Sequence, residues 1–207
     1  TANADSITAD EDSENNRIDV LTNDNDPDRD TLRITNVTQP LHGVASTDGS
    51  YVYYAPNKDY DKSDFFDYTI SDGYGGTATA VVYITVTPQN DPPVISDIPD
   101  QTIQEGQAFS TISLDNYVAD PDNTDAEIIW AYSGNIQLRV LITNRIATIT
   151  IPTATWNGTE TITFKATDPG GLYDEDAAKF IVTHINHAPS VSSISLAPEV
   201  RAAKKDS

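Results

Sequence analysis

The chain has 207 residues, enough for one large or two small domains, and its 32 acidic against 12 basic residues give a net charge of −20. Of the acids 25 are Asp and 7 Glu; Asp favours turns and is a short, stiff oxygen ligand, whereas Glu suits helix surfaces. So negative a field repels nucleic acid and anionic membranes and attracts divalent cations, and the lack of Cys excludes zinc–thiolate sites, disulfides and thiol nucleophiles.

No apolar run approaches the roughly 18 residues needed to span a membrane, so no membrane insertion is expected. The start at Thr1, without a signal peptide, reads as an excerpt from something longer. The first informative stretch is "DNDPDRDTL", which sets Asp24, Asp26, Asp28 and Asp30 at alternate positions with only Arg29 among them. It is either a solvated turn or a set of oxygen ligands for a hard cation. An EF-hand loop counted from Asp24 fails, because Arg29 and Thr35 stand where Gly and Glu are required.

The predicted strands follow. "DFFDYTI" places Phe66, Tyr68 and Ile70 on one face. "TATAVVYITVT" (77–87) places Ala80, Val82, Ile84 and Val86 on one face and Thr79, Tyr83 and Thr85 on the other. The stretch "TPQNDPPVISDIPD" reads as a linker stiffened by Pro92 and Pro93, which puts a domain boundary between 1–91 and 92–189. In the second part "GTETITFKAT" groups Ile162, Phe164 and Ala166, and "AKFIVTHI" groups Phe180 and Val182. Period two, short segments and Gly/Pro/Asp turns predict about seven strands in each unit of some 95 residues, an all-β chain of two tandem Greek-key sandwiches. The tail 190–207 is expected to be disordered or to begin a further repeat.

The second half repeats the first. At an offset of 94, Thr8 meets Thr102, Glu11 meets Glu105, Ile18 meets Ile112, and Asp26-Pro27-Asp28 meets Asp120-Pro121-Asp122. At an offset of 96, Asp64 meets Glu160, Asp72 meets Asp168, and Asn90 meets Asn186. A single Asp-Pro-Asp is a common turn; matched spacings over a whole period mark two copies of one unit.

The order of acidic motifs (a Glu near the first strand, Asp-x-Asp, an acid before the penultimate strand, Asp in "ISDGYGG" or "ATDPGG", Asn-Asp at the exit) resembles that of cadherin repeats. The first copy, with "IDVLTNDNDPDRDTL", "SDFFDYTISDGYGGTATA" and "NDPP", looks like bacterial VCBS/cadherin-like repeats. The second, with "DQTIQEGQAFS", "WNGTETITFKATDPGGLYDEDAAKF" and "NHAP", looks like the dystroglycan-type cadherin-like variant. The resemblance covers residues 1 to about 189 and implies immunoglobulin/cadherin-like sandwiches with Ca²⁺ at the interdomain junction. Carried over by position, the junction ligands are Glu11, Asp64, Asn90, Asp91, Asp120, Asp122 and Asp168. Calcium takes about 6–8 oxygens, so six carboxylates and an amide suit two ions. By the same correspondence Asp26, Asp28 and Asp72 form an incomplete, upstream-facing site. At the far end Glu105, Glu160 and Asn186 are in place, but His187, a poor calcium ligand, stands where Asp91 stood.

His42, His184 and His187 accompany no nucleophile motif, and a small sandwich rarely supplies the cleft that paired carboxylates need for glycoside hydrolysis, so no enzyme is expected. Tyr51, Tyr53 and Tyr83 fall on the outward parity and are the candidates for stacking on sugar rings. The expectation is a secreted or cell-surface bacterial module pair that binds calcium and mediates adhesion or binds polysaccharide or cell-surface glycan. A calcium-stiffened spacer in a large adhesin and homotypic cell–cell adhesion are the alternatives.

Overall fold

The computed structural model describes residues 1–186, so His187 and the tail 190–207 lie outside the described residues. The first sandwich has seven strands: β1 (Asp5–Asp10), β2 (Asn16–Ile18), β3 (Arg33–Val37), β4 (Gly43–Thr47), β5 (Val52–Pro56), β6 (Ser63–Ser71) and β7 (Thr77–Thr87). One sheet runs β1-β7-β6-β3 and the other β2-β5-β4. Strand β1 lies parallel to β7, and β6 antiparallel to it.

The second copy follows the same plan. After the two-residue β8 (Val94–Ile95) come β9 (Gln101–Gln104), β10 (Ile112–Ser113), the two-residue β11 (Val118–Ala119) and β12 (Ile129–Ser133). Then come β13 (Arg139–Thr143), β14 (Ile146–Thr150), β15 (Gly158–Thr167) and β16 (Tyr173–Thr183). Its sheets run β12-β15-β16-β9 and β10-β14-β13, with β9 again parallel to β16. The β13–β14 hairpin turns on Asn144 (φ 49°) and Arg145 (φ 59°), left-handed at both positions, the geometry that matches strand twist in a two-residue loop.

Side-chain alternation explains the burial. In β6 every second residue from Asp64 to Ile70 is buried, and in β7 Val82, Ile84 and Val86 are. Phe66, Tyr68 and Ile70 therefore meet Val82, Ile84 and Tyr54 in the first core. Ile162, Phe164 and Phe180 occupy the same places in the second, where Phe109 meets Phe180 edge-on at 5.2 Å. The expected all-β pair of sandwiches is the observed fold, and no helix among the described residues is long and apolar enough to cross a membrane.

The backbone divides into two compact units. The first comprises Thr1–Val94 with the loops Ala119–Ile128 and Thr167–Tyr173; the second comprises Ile95–Val118, Ile129–Ala166 and the described residues from Asp174 on. All seven acids and amides expected at the junction therefore belong to the first unit.

Candidate metal centre

Within the first unit, Glu11 directly follows β1 and is 5% exposed. Its backbone N–H donates to the Thr87 carbonyl, and its Oε1 accepts from the Gln89 N–H at 2.5 Å. Burial pushes the Glu11 carboxyl above its ordinary range, and the charges of Asp122, Asp91 and Asp12 push it further. Asp91 is raised by the same causes: burial first, then Asp12, Asp59 and Asp122. The Lys58 ammonium opposes the rise at Asp91 but does not cancel it.

The loops brought to this end complete it. Asp91 N–H donates to Asp122 Oδ2 at 2.8 Å, and Asn90 Nδ2 donates to Asp168 Oδ2 at 2.7 Å. Asp168 is buried, with its Oδ1 accepting from the Leu172 N–H at 2.8 Å. A methyl group at Gly170 would stand 2.7 Å from Asn90 Nδ2, so glycine there leaves room for the amide. Asp120 Oδ1 accepts the N–H groups of Asp122 and Asn123 at 2.9 and 2.8 Å, which fixes the Asp-Pro-Asp turn and leaves Oδ2 free.

Three oxygens at this end are buried without a hydrogen-bond partner: Asp91 Oδ2, Asp120 Oδ2 and Asn123 Oδ1. Buried acceptors are normally satisfied, and each orphan is expected to cost roughly 1–3 kcal/mol. Carboxylate and amide oxygens are the donor set of a hard divalent cation, and the residues present fit calcium.

Two further acids belong here that the repeat does not reveal. Carboxylate oxygens of Asp12, Asp59 and Asp91 all lie within 4.8 Å of one another. Asp12 Oδ1 also accepts the Asp59 N–H at 3.1 Å, and Lys58 Nζ sits 2.8 Å from Asp59. At the equivalent places the second copy has Gly106 and Thr155. Acids selected because both copies share them therefore leave these out; the signal available was "ED" at Glu11-Asp12 and "DYD" ahead of β6.

Asp64 has a different setting. Its Oδ2 accepts the His42 N–H at 3.0 Å and the Tyr54 hydroxyl at 3.1 Å, and its Oδ1 the Phe65 N–H at 3.0 Å. Burial and the Asp64 charge push the Tyr54 hydroxyl well up. The acid thus fastens the loop entering β4, where the His42 ring also stacks on Tyr60 at 4.2 Å. Glu160 does the same before β13, accepting the N–H groups of Ile136, Gln137 and Leu138 at 2.7–3.2 Å.

Glu105 is buried, and its Oε1 accepts from Asn157 Nδ2 at 2.6 Å and His184 Nδ1 at 2.8 Å, its Oε2 from the Ile185 N–H at 3.3 Å. The His184 hydrogen bond leads in holding this carboxyl down at about 2. Asn186 is exposed.

In the upstream-facing set, Asp26 Oδ1 accepts the N–H groups of Asp28 and Asp30 at 2.9 and 3.1 Å. Asp72 Oδ1 accepts those of Tyr74 and Gly76 at 2.7 and 3.0 Å. Asp26 and Asp72 line one small pocket with Thr1, while carboxylate oxygens of Asp26, Asp28 and Asp30 lie within 4.8 Å of one another. Asp24 is engaged elsewhere, accepting from the buried Tyr68 hydroxyl and the Asn3 N–H.

The three tyrosines divide between the two sheets. Tyr53 lies in β5, with Tyr51 immediately before it; the Arg17 guanidinium covers the Tyr51 ring at 4.4 Å, and the Tyr53 hydroxyl donates to Asp48 at 3.0 Å. Tyr83 lies on β7, in the other sheet.

Among solved structures, Drosophila N-cadherin EC1-4 is 18% identical with a TM-score of 0.56, over 87% of this chain and 49% of its own. Human protocadherin-24 EC1-2 is 18% identical with a TM-score of 0.53, over 87% of this chain and 95% of its own. An endo-fucoidan hydrolase from glycoside hydrolase family 107 is 18% identical with a TM-score of 0.38, over 88% of this chain, which spans 28% of that protein. At these identities the likeness to the cadherins is one of fold. No curated protein matches the chain. The bacterial Ig domain profile matches residues 1–85 and again 90–183, and the chain belongs to that family, in two copies.

Proposed function

We propose that this chain is a calcium-binding extracellular module of a secreted or cell-surface bacterial protein, and that it attaches its parent to polysaccharide or cell-surface glycan. The observation that carries the calcium reading is the set of buried, partnerless oxygens on Asp91, Asp120 and Asn123, beside the acids Glu11 and Asp91, each raised by burial and by neighbouring carboxylates. Glu11, Asp12, Asp59, Asp91, Asp120, Asp122 and the Asn123 amide would hold the ion, with Asn90 and Asp168 bracing the loops around it. Calcium would neutralise the repulsion and supply a partner for each orphaned oxygen.

The motif order supports the finer assignment of a VCBS/cadherin-like first copy and a dystroglycan-type second. A calcium-dependent spacer within a longer repeat array is the second reading, favoured by the tandem family match at 1–85 and 90–183.

Titration calorimetry with calcium tests the metal. Saturable heat with a dissociation constant near or below about 10⁻⁴–10⁻³ M, the range of extracellular modules, is the expected result. No heat, together with a melting temperature indifferent to chelator, would remove calcium from the proposal.

A further inference from the structure

Phe65 on β6 and Tyr83 on β7 stand directly opposite each other in the antiparallel ladder. Their neighbours Phe66 and Val82 point into the core, so these two rings point outward, and they are 63% and 57% exposed. Tyr83 in turn faces Ser6 on β1. The next row outward on one side is Thr8, Thr85 and Ser63; two rows away on the other, the Thr69 and Thr79 hydroxyls lie 3.1 Å apart. Among the outward positions of β6 and β7 the single charged side chain is Asp67, in a chain of net charge −20. On β1 the outward row Ser6, Thr8 and Asp10 adds a second carboxylate at its end, where Asp10 accepts from the Thr87 hydroxyl at 2.6 Å. The face is therefore hydroxyl-rich and aromatic at its middle, with two carboxylates and no basic side chain on these three strands.

Two exposed rings on adjacent strands, which lie about 4.7–4.9 Å apart, make a contiguous apolar strip on a flat surface. The C–H face of a pyranose ring complements such a strip, and serine and threonine hydroxyls complement sugar hydroxyls. A polyanion would be repelled by the field of the whole chain, and a second copy would bring another charge of −20 against the first. A neutral polymer meets neither obstacle. The second sandwich carries Thr161 and Lys179 at the equivalent positions, so the face is peculiar to the first.

We propose that the outer face of β1, β7 and β6 binds a neutral polysaccharide chain, with Phe65 and Tyr83 stacking on its sugar rings and Ser6, Thr8, Ser63 and Thr85 meeting its hydroxyls. This rests on the reading of the chain as a glycan-attaching module, and it names the surface and the class of glycan. Tyr51 and Tyr53, on the opposite sheet and already engaged by Arg17 and Asp48, take no part.

The test is co-sedimentation of the whole chain, in millimolar calcium, with microcrystalline cellulose, insoluble xylan, insoluble mannan and chitin. The unaltered protein should be retained on at least one of them. Phe65→Ala with Tyr83→Ala should weaken that retention by about tenfold or more. The calcium heat of this double variant should stay unchanged, its melting temperature should fall by only the few degrees that loss of a cross-strand aromatic pair costs, and Tyr51→Ala with Tyr53→Ala should sediment as before. Retention of Phe65→Ala/Tyr83→Ala at full strength would overturn the face while leaving glycan attachment standing. Failure of the unaltered protein to bind any of the four polymers, with its calcium heat intact, would overturn the neutral-glycan proposal and leave the spacer. A self-association that the double variant abolishes would assign the face to a second copy instead.

Discussion

The backbone N–H of Asp91 donates to the carboxylate of Asp122 at 2.8 Å, so one acid of the candidate site is oriented by the peptide of another. That hydrogen bond occupies one acceptor of Asp122, while Asp91 Oδ2 is itself buried with no donor. The pair is held together in geometry and opposed in charge.

Calcium should raise the melting temperature, because only the folded chain assembles the site. At a hundred times the dissociation constant the gain is about 2.7 kcal/mol, or roughly 10–20 °C for a domain of this size. Asp91→Asn should shrink this increment by weakening calcium about tenfold, yet raise the melting temperature in chelator by removing one repelling charge. Scanning calorimetry in calcium and in chelator reads both effects, and equal destabilisation under the two conditions would mean Asp91 acts only through packing.

Asp12 and Asp59 should matter although the repeat does not mark them. Asp12→Asn with Asp59→Asn leaves the sandwich core untouched and should lower calcium affinity by at least a few fold. Calorimetric titration distinguishes this from a surface effect, since an unchanged dissociation constant would restrict the site to the acids facing the Asp-Pro-Asp loop.

Acid should act on this site with a definite sign. Glu11 and Asp91 are raised above unfolded values of 4.5 and 3.8, so between those values and the folded ones the folded state holds more protons. Stability of the calcium-free protein then falls as pH rises through that window, and calcium affinity falls as pH drops through it. Paired melting curves and calcium titrations across pH 4 to about 7 should slope in opposite directions; parallel slopes would refute the shared origin of the two effects.

Glu105 should respond the other way. Its folded value is depressed from 4.5 to about 2, so its contribution is present above 4.5 and lost as pH falls toward 2. Glu105→Gln should lower the stability of the second sandwich at neutral pH while leaving calcium stoichiometry unaltered, because its oxygens already have protein donors. A lost calcium ion in that variant would show that cation and protein donors compete there.

The sandwiches were legible because burial follows period two. Phe66, Tyr68 and Ile70 lie inward as their spacing requires, and so do Ile162, Phe164 and Ala166. The acids shared by the copies were legible through repetition. Repetition does not reveal what an acid is bonded to: Glu11 and Glu105 occupy matched positions, yet one faces other carboxylates and the other a histidine and an asparagine. Asp12 and Asp59 have no matched acids, so no spacing argument reaches them. Parity likewise grouped Tyr51, Tyr53 and Tyr83 as outward residues, but strand pairing decides which sheet carries each one, and it separates Tyr83 from the others.

The parallel pairing of β1 with β7 bears on how the sandwich carries load. Their six matched residue pairs run from Asp5 and Val82 to Asp10 and Thr87. Tension applied at the start of β1 and the end of β7 pulls these strands along their common axis in opposite directions. The hydrogen bonds between them are then loaded together in shear, rather than peeled one at a time as in a hairpin pulled from its open end. β9 and β16 repeat the arrangement over four pairs. A tether under flow or drag would resist extension through these two short ladders, and the longer ladder of the first copy should be the last to rupture.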